Sequence, residues 1–157
     1  MPKYYKRRVY RRYGSAKYSV EQSAGLLSVP AGQQAYTQVV PDTTVGGMRK
    51  VKHLMISGSI PSNPSNSIAT AGYWALVYVP QGTTPNTLTL SGGSMYEPNQ
   101  FVMNCGTFDA DAGPIRISSP VSRNLNSGDK IYLIVGSADA SRQLDLLYVV
   151  RYAITLQ

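Results

Sequence analysis

The chain has 157 residues, one cysteine and a formal net charge of +7. The single Cys105 excludes an intrachain disulfide, and a chain of this length can bury about two-thirds of its unfolded surface as one domain without a staple. Charged residues make up only 15% of it, and no apolar run approaches the ~20 residues of a membrane span. The composition therefore points to a turn-rich β domain whose surface suits packing against copies of itself.

In chain order the first feature is a basic arm, residues 1–18. It holds seven of the fifteen Lys+Arg: Lys3, Lys6, Arg7, Arg8, Arg11, Arg12 and Lys17. It also holds Tyr4, Tyr5, Tyr10, Tyr13 and Tyr18 and no acid, the first being Glu21. From residue 19 onward eight Lys+Arg face eight Asp+Glu, so residues 19–157 form a neutral body and the net charge sits in the arm. A cationic arm on a neutral body points to a polyanion. The guanidinium fork suits phosphate, and interleaved tyrosines offer rings on which unpaired bases stack. With Met1, Val9 and Ala16 as its only aliphatic residues, the arm lacks the apolar face of a membrane anchor. Seven cations on a single strand imply a log–log salt slope of about −5, and no base-reading motif accompanies them, so binding is expected to be non-specific. Lys6-Arg7-Arg8 and Arg11-Arg12 are also compatible with nuclear import. The plain alternative is a solvated basic tail. The charges are not followed by a hydrophobic region, so no secretory signal is expected, and an intracellular, reducing site of synthesis fits.

Beyond the arm, Val, Ile, Tyr and Thr enrichment between Gly, Pro and Asn turns predicts eight strands, over 18–29, 34–40, 48–60, 73–79, 100–107, 114–121, 130–136 and 144–156. In the last of these Leu144, Leu146, Tyr148, Val150, Tyr152, Ile154 and Leu156 share one face, with Asp145, Arg151 and Thr155 on the other. Leu147 and Val149 make its middle apolar on both faces, as in a covered central strand or a subunit contact. The 73–79 strand, where Trp74, Leu76 and Tyr78 alternate with Ala75, Val77 and Val79, reads as buried on both sides. A short helical turn is expected around 87–91 and no longer helix. Eight strands without βα alternation predict an all-β, antiparallel sandwich, with an eight-stranded jelly roll as first choice. The loops 59–72 and 80–99 are expected to be exposed tips or contacts between subunits.

No segment carries an enzyme's signature. The one histidine, His53, cannot by itself supply a Ser-His-Asp triad or a multi-histidine metal site, and reads as a packed or hydrogen-bonded strand residue. Asp109 and Asp111 are the best carboxylate pair for a calcium ion, but nothing after them continues a calcium loop and an ordinary Asp-rich turn is the expected reading. No phosphate loop or nucleophile elbow occurs, so neither a metal nor a cofactor is expected. Cys105, in the apolar-leaning run 101–105, is expected to be buried and inert. Arg49, Lys50 and Lys52 form the body's one basic cluster. By strand alternation Lys50 and Lys52 share a face and continue the arm's cationic surface, or they are a solvated strand end.

The arm and the turn-rich body together resemble capsid proteins of small circular, Rep-encoding single-stranded DNA viruses, the circovirus-like group. The resemblance runs through Ala75-Leu76-Val77-Tyr78-Val79-Pro80-Gln81-Gly82, Met95-Tyr96-Glu97-Pro98-Asn99-Gln100, Gly113-Pro114-Ile115-Arg116 and Arg123-Asn124-Leu125-Asn126-Ser127-Gly128-Asp129-Lys130-Ile131-Tyr132-Leu133. It implies a single jelly roll, an icosahedral homo-oligomeric shell of about sixty copies, and arms turned inward onto single-stranded DNA in the virion. Sixty arms would offset about four hundred phosphates. An RNA cargo, as in small satellite viruses, is the second reading. A monomeric nucleic-acid-binding module and a carbohydrate-binding sandwich using Tyr73-Trp74 are two further ones.

Overall fold

The computed structural model describes residues 18–61, 71–88, 101–109 and 112–156. They contain nine strands: β1 (Ser19–Val29), β2 (Gln34–Val40), β3 (Arg49–Ser59), β4 (Ala71–Val79), β5 (Phe101–Asp109), β6 (Ile115–Ser118), β7 (Arg123–Leu125), β8 (Lys130–Ser137) and β9 (Leu144–Leu156). The chain is all-β, with no helix among the described residues. The helical turn expected over 87–91 is absent at Thr87 and Leu88, and the rest of it lies outside the described residues. Leu88 is instead buried, and Gln34 clamps its backbone: the Leu88 N–H donates to Oε1 at 2.7 Å and Nε2 donates to the Leu88 carbonyl at 2.8 Å.

The strands form two antiparallel sheets, one ordered β1-β9-β3-β6 with β7 also on β3, the other ordered β2-β8-β4-β5. Since β9 occupies one edge of β3, β6 and β7 share the other, β6 against Met55–Gly58 and β7 against Arg49–Val51. The pattern predicts one strand over 114–121. Ser119 N–H still bonds to the Leu54 carbonyl at 2.9 Å, in register, and the ladder breaks at Pro120, which has no N–H to donate. Pairing resumes at Arg123, which is why there are nine strands and not eight.

One apolar core draws residues from both sheets. On β9, Leu144, Leu146, Tyr148, Val150 and Tyr152 are buried, as period-two alternation predicts. β4 is buried on both faces, as expected: Trp74, Leu76 and Tyr78 enter the shared core, while Ala75, Val77 and Val79 pack with Leu88 and Ile134 in a second cluster. Tyr148 links the sheets. Its ring lies over Gly25, where a Cβ would fall 2.5 Å from the hydroxyl, and that hydroxyl shares a 2.9 Å hydrogen bond with Thr37 Oγ1 of β2.

β3 keeps its apolar residues inward only through a bulge. Arg49 and Val51 face in, and so do Leu54, Ile56 and Gly58, two odd positions followed by three even ones. The register against β9 slips between Lys52 and Met55, so that His53 and Leu54 together oppose Tyr152. His53 absorbs the extra residue at φ 54°, in a left-handed region that histidine tolerates better than most residues. Without the bulge Leu54 and Ile56 would point outward. The packed strand residue expected at position 53 is therefore an exposed bulge residue.

Candidate nucleic-acid interface

Lys3, Tyr4, Tyr5, Lys6, Arg7, Arg8, Tyr10, Arg11, Arg12, Tyr13 and Lys17 lie outside the described residues. The chain enters the body at Tyr18, whose ring lies 5.0 Å from Lys52 Nζ. Lys50 and Lys52, the two body residues expected to join the arm, pair with Thr155 and Ala153 on the outward side of β3. Both are half-buried. Arg49, their neighbour, turns inward and is 7% exposed, donating from Nη2 to the Pro41 carbonyl at 3.0 Å and the Asp129 carbonyl at 3.4 Å. The basic cluster thus divides, one member bracing the interior and two facing out.

The body's neutral charge is unevenly placed. Of its eight cations, Arg49, Lys50, Lys52, Arg116, Arg123 and Arg151 sit on strands of the β1-containing sheet, against Glu21 and Asp145. The strands of the other sheet carry Lys130 and Asp109. Arg116 stands opposite Ser57 and Arg151 opposite Met55, both on the outward side with Lys50 and Lys52, and both are exposed. The acid on that side, Asp145, is held below the usual carboxylate range by hydrogen bonds from Ser28 and Gln143, so it stays charged at neutral pH. Sequence reasoning named Lys50 and Lys52 but not Arg116 and Arg151. Alternation with Ile115 and Ile117 and with Val150 and Tyr152 already turned both arginines outward; that they flank β3 emerges only from long-range pairing.

Two hollows open beside these cations. One, lined by Val20, His53, Met55, Arg151, Tyr152 and Ala153, is mostly apolar with a volume of about 290 Å³. The other is polar and lined by Lys50, Tyr78, Ser122, Arg123, Asn124 and Asn126. The Arg123 guanidinium stacks 4.2 Å from the Tyr78 ring and 5.5 Å from that of Phe101, which fixes a cation at the rim. Tyr78 is itself held by Asp129, a buried carboxylate that accepts from Tyr78 Oη at 2.8 Å, Gln81 N at 3.1 Å and Asn126 N at 2.7 Å. The turn 126–129 is thereby locked to the end of β4.

Other expected features resolve differently. Cys105 is exposed, not buried: β5 is an edge strand, and alternation carries this residue to its outward side. Trp74 is 8% exposed within the core, so of the Tyr73-Trp74 pair suggested for a sugar only Tyr73 reaches the surface. Asp109 ends β5 and is exposed, and Asp111 lies outside the described residues. Among the described residues no three His, Cys, Asp or Glu side chains cluster as metal ligands would. No helix among them is long and apolar enough to cross a membrane. Leu147 and Val149 do lie on a central strand, yet they are 56% and 50% exposed, beside Leu26 at 63%. No protein-family model matches the chain, and no curated protein matches it in sequence.

Proposed function

We propose that the chain is the subunit of a small icosahedral capsid, a jelly-roll sandwich that assembles with copies of itself and packages single-stranded DNA through its basic arm. The observation that carries this reading is the strand order. With β6 and β7 counted as one interrupted strand, the sheets read first-eighth-third-sixth and second-seventh-fourth-fifth. That order is what two nested Greek keys produce, the architecture of jelly-roll capsid domains. Three further features support it. The body is neutral and poor in charge, which suits tiling. Large apolar side chains, among them Leu26, Leu147, Val149 and Tyr36, are exposed in the lone chain and fit subunit contacts. The resemblance to circovirus-like capsid proteins accounts for an arm with seven cations and no acid.

The test is sedimentation and electron microscopy of purified protein. Closed particles of uniform size are expected, and deletion of residues 1–18 should remove the packaged nucleic acid while the β domain stays folded. A monomer that persists across ionic strength and protein concentration refutes the proposal. Nuclease sensitivity of the extracted nucleic acid decides DNA against RNA. A second reading, a monomeric nucleic-acid-binding β domain, is favoured by one observation, the gathering of body cations on one sheet. The same sedimentation run separates the two.

A further inference from the structure

We infer that the outward face of the β1-containing sheet is a second nucleic-acid site, built by Lys50, Lys52, Arg116 and Arg151 around the hollow at His53. The inference rests on the nucleic-acid reading of the arm, but not on shell formation.

Four observations carry it. Four cations from three strands meet on one face, and among the described strand residues Asp145, at the far end of β9, is the acid on that face. Such a sheet presents a positive field that a neutral sequence total conceals. Secondly, the face has an apolar floor: Val20, Met55 and Ala153 line the hollow with Arg151 at its wall, Lys52 stands opposite Ala153, and Lys50 lines the neighbouring polar hollow. An unstacked base has apolar faces to bury, while its phosphates lie on the lysines and arginines at the rim. Thirdly, the bulge residue His53 itself lines the hollow. The extra residue, at φ 54°, shifts the register of β3 against β9 at this point and sets an imidazole beside the hollow. Bulges re-aim side chains where a sheet meets a ligand. Fourthly, the Tyr18 ring lies 5.0 Å from Lys52 Nζ, so the face adjoins the point at which the arm joins the body. The contacts go to phosphate and to ring faces. The ligand class is therefore single-stranded nucleic acid without sequence preference.

The test uses the full chain, dispersed as subunits, and a labelled oligothymidylate, with affinity measured across a series of salt concentrations. Each phosphate contact on a single strand adds about −0.7 to the log–log slope, so the arm alone gives about −5 and the arm with this face about −8. The double variant R116Q/R151Q should lower the magnitude of the slope by about 1.4. The charge-matched double K130Q/R142Q, away from this face, should leave it unchanged. All four side chains lie outside the core, so both doubles should melt with the wild type, and the single variant K52Q offers an independent drop of about 0.7. Equal slopes in the two doubles, or a wild-type slope near −5, would overturn the site. A chain that never closes into particles yet shows the selective loss refutes the shell and keeps the site. Particles with no selective loss do the reverse.

Discussion

Replacing Asp129 by alanine tests how the polar end of the molecule is held together. Its carboxylate is 4% exposed and accepts three hydrogen bonds, from Tyr78 Oη, Gln81 N and Asn126 N, at 2.7 to 3.1 Å. Hydrogen bonds to a charged acceptor are worth about 1.5–3 kcal/mol each. Burying the carboxylate offsets part of that sum, and the two part-buried amides regain some contact with water once it is gone. About 3 kcal/mol of net destabilisation remains, most of it from a tyrosine hydroxyl stranded beside the core. For a domain of this size that lowers the melting temperature by about 6–12 °C. Tyr78→Phe removes one donor and should cost about 1 kcal/mol. The double variant should cost less than the two singles added, because the stranded hydroxyl is absent. Thermal melts followed by circular dichroism, with urea titrations to confirm an unchanged slope, read all three. An Asp129→Ala protein that melts within about 2 °C of wild type would refute the idea that this carboxylate locks the turn to β4.

Gly25→Val puts a branched side chain where the Tyr148 ring lies, so the ring must shift and its bond to Thr37 break; about 1–3 kcal/mol of stability should be lost in a urea melt. Alkaline pH should unfold the protein through its tyrosines. Burial holds the hydroxyls of Tyr73, Tyr78 and Tyr152 above the usual tyrosine value, Tyr78 further so by its bond to Asp129 and Tyr152 by Glu21. Between about pH 10 and those raised values the folded state binds more protons than the unfolded chain, so stability is intact below pH 10 and falls as pH rises. Tyr152→Phe should move the alkaline midpoint upward; a midpoint unchanged in that variant contradicts the assignment. Cys105 should react fully with a thiol reagent in the native, dispersed chain, one equivalent per chain, whereas a thiol modified only after unfolding contradicts its exposed place on β5.

Much of the fold was legible because local rules sufficed. The bounds of β2 and β9 coincide with the apolar, β-branched runs between turns, and the two-sided burial of β4 follows from a run with no polar residue between Tyr73 and Val79. What was hidden depends on partners distant in sequence. A run from 114 to 121 reads as one strand until Pro120 meets a ladder that needs its N–H. His53 reads as an ordinary strand residue because a bulge is an accommodation to the register of β9, which nothing near position 53 announces. Cys105 sits among apolar neighbours, yet its exposure is decided by β5 lying at a sheet edge. Arg116 and Arg151 are thirty-five residues apart in the chain and become members of one surface only when β6 and β9 line the two edges of β3.

A neutral net charge does not by itself exclude contact between a polyanion and the body. The sum of its charges describes behaviour at distances beyond the Debye length, about 8–10 Å at physiological salt, and says little about contact. If the arm holds nucleic acid as proposed, the strand does not approach the body from afar. Tyr18 rests on Lys52, so nucleotides bound where the arm joins the body would lie within reach of the sheet. On the proposed reading, engagement of the face would be an intramolecular step at high effective concentration, and contacts too weak to capture nucleic acid from solution would add to the affinity of the arm. The two sites should therefore be unequal when measured apart and inseparable when measured together. Removing the arm's charge should abolish nearly all binding, while removing the face's charge should leave binding in place with a shallower dependence on salt.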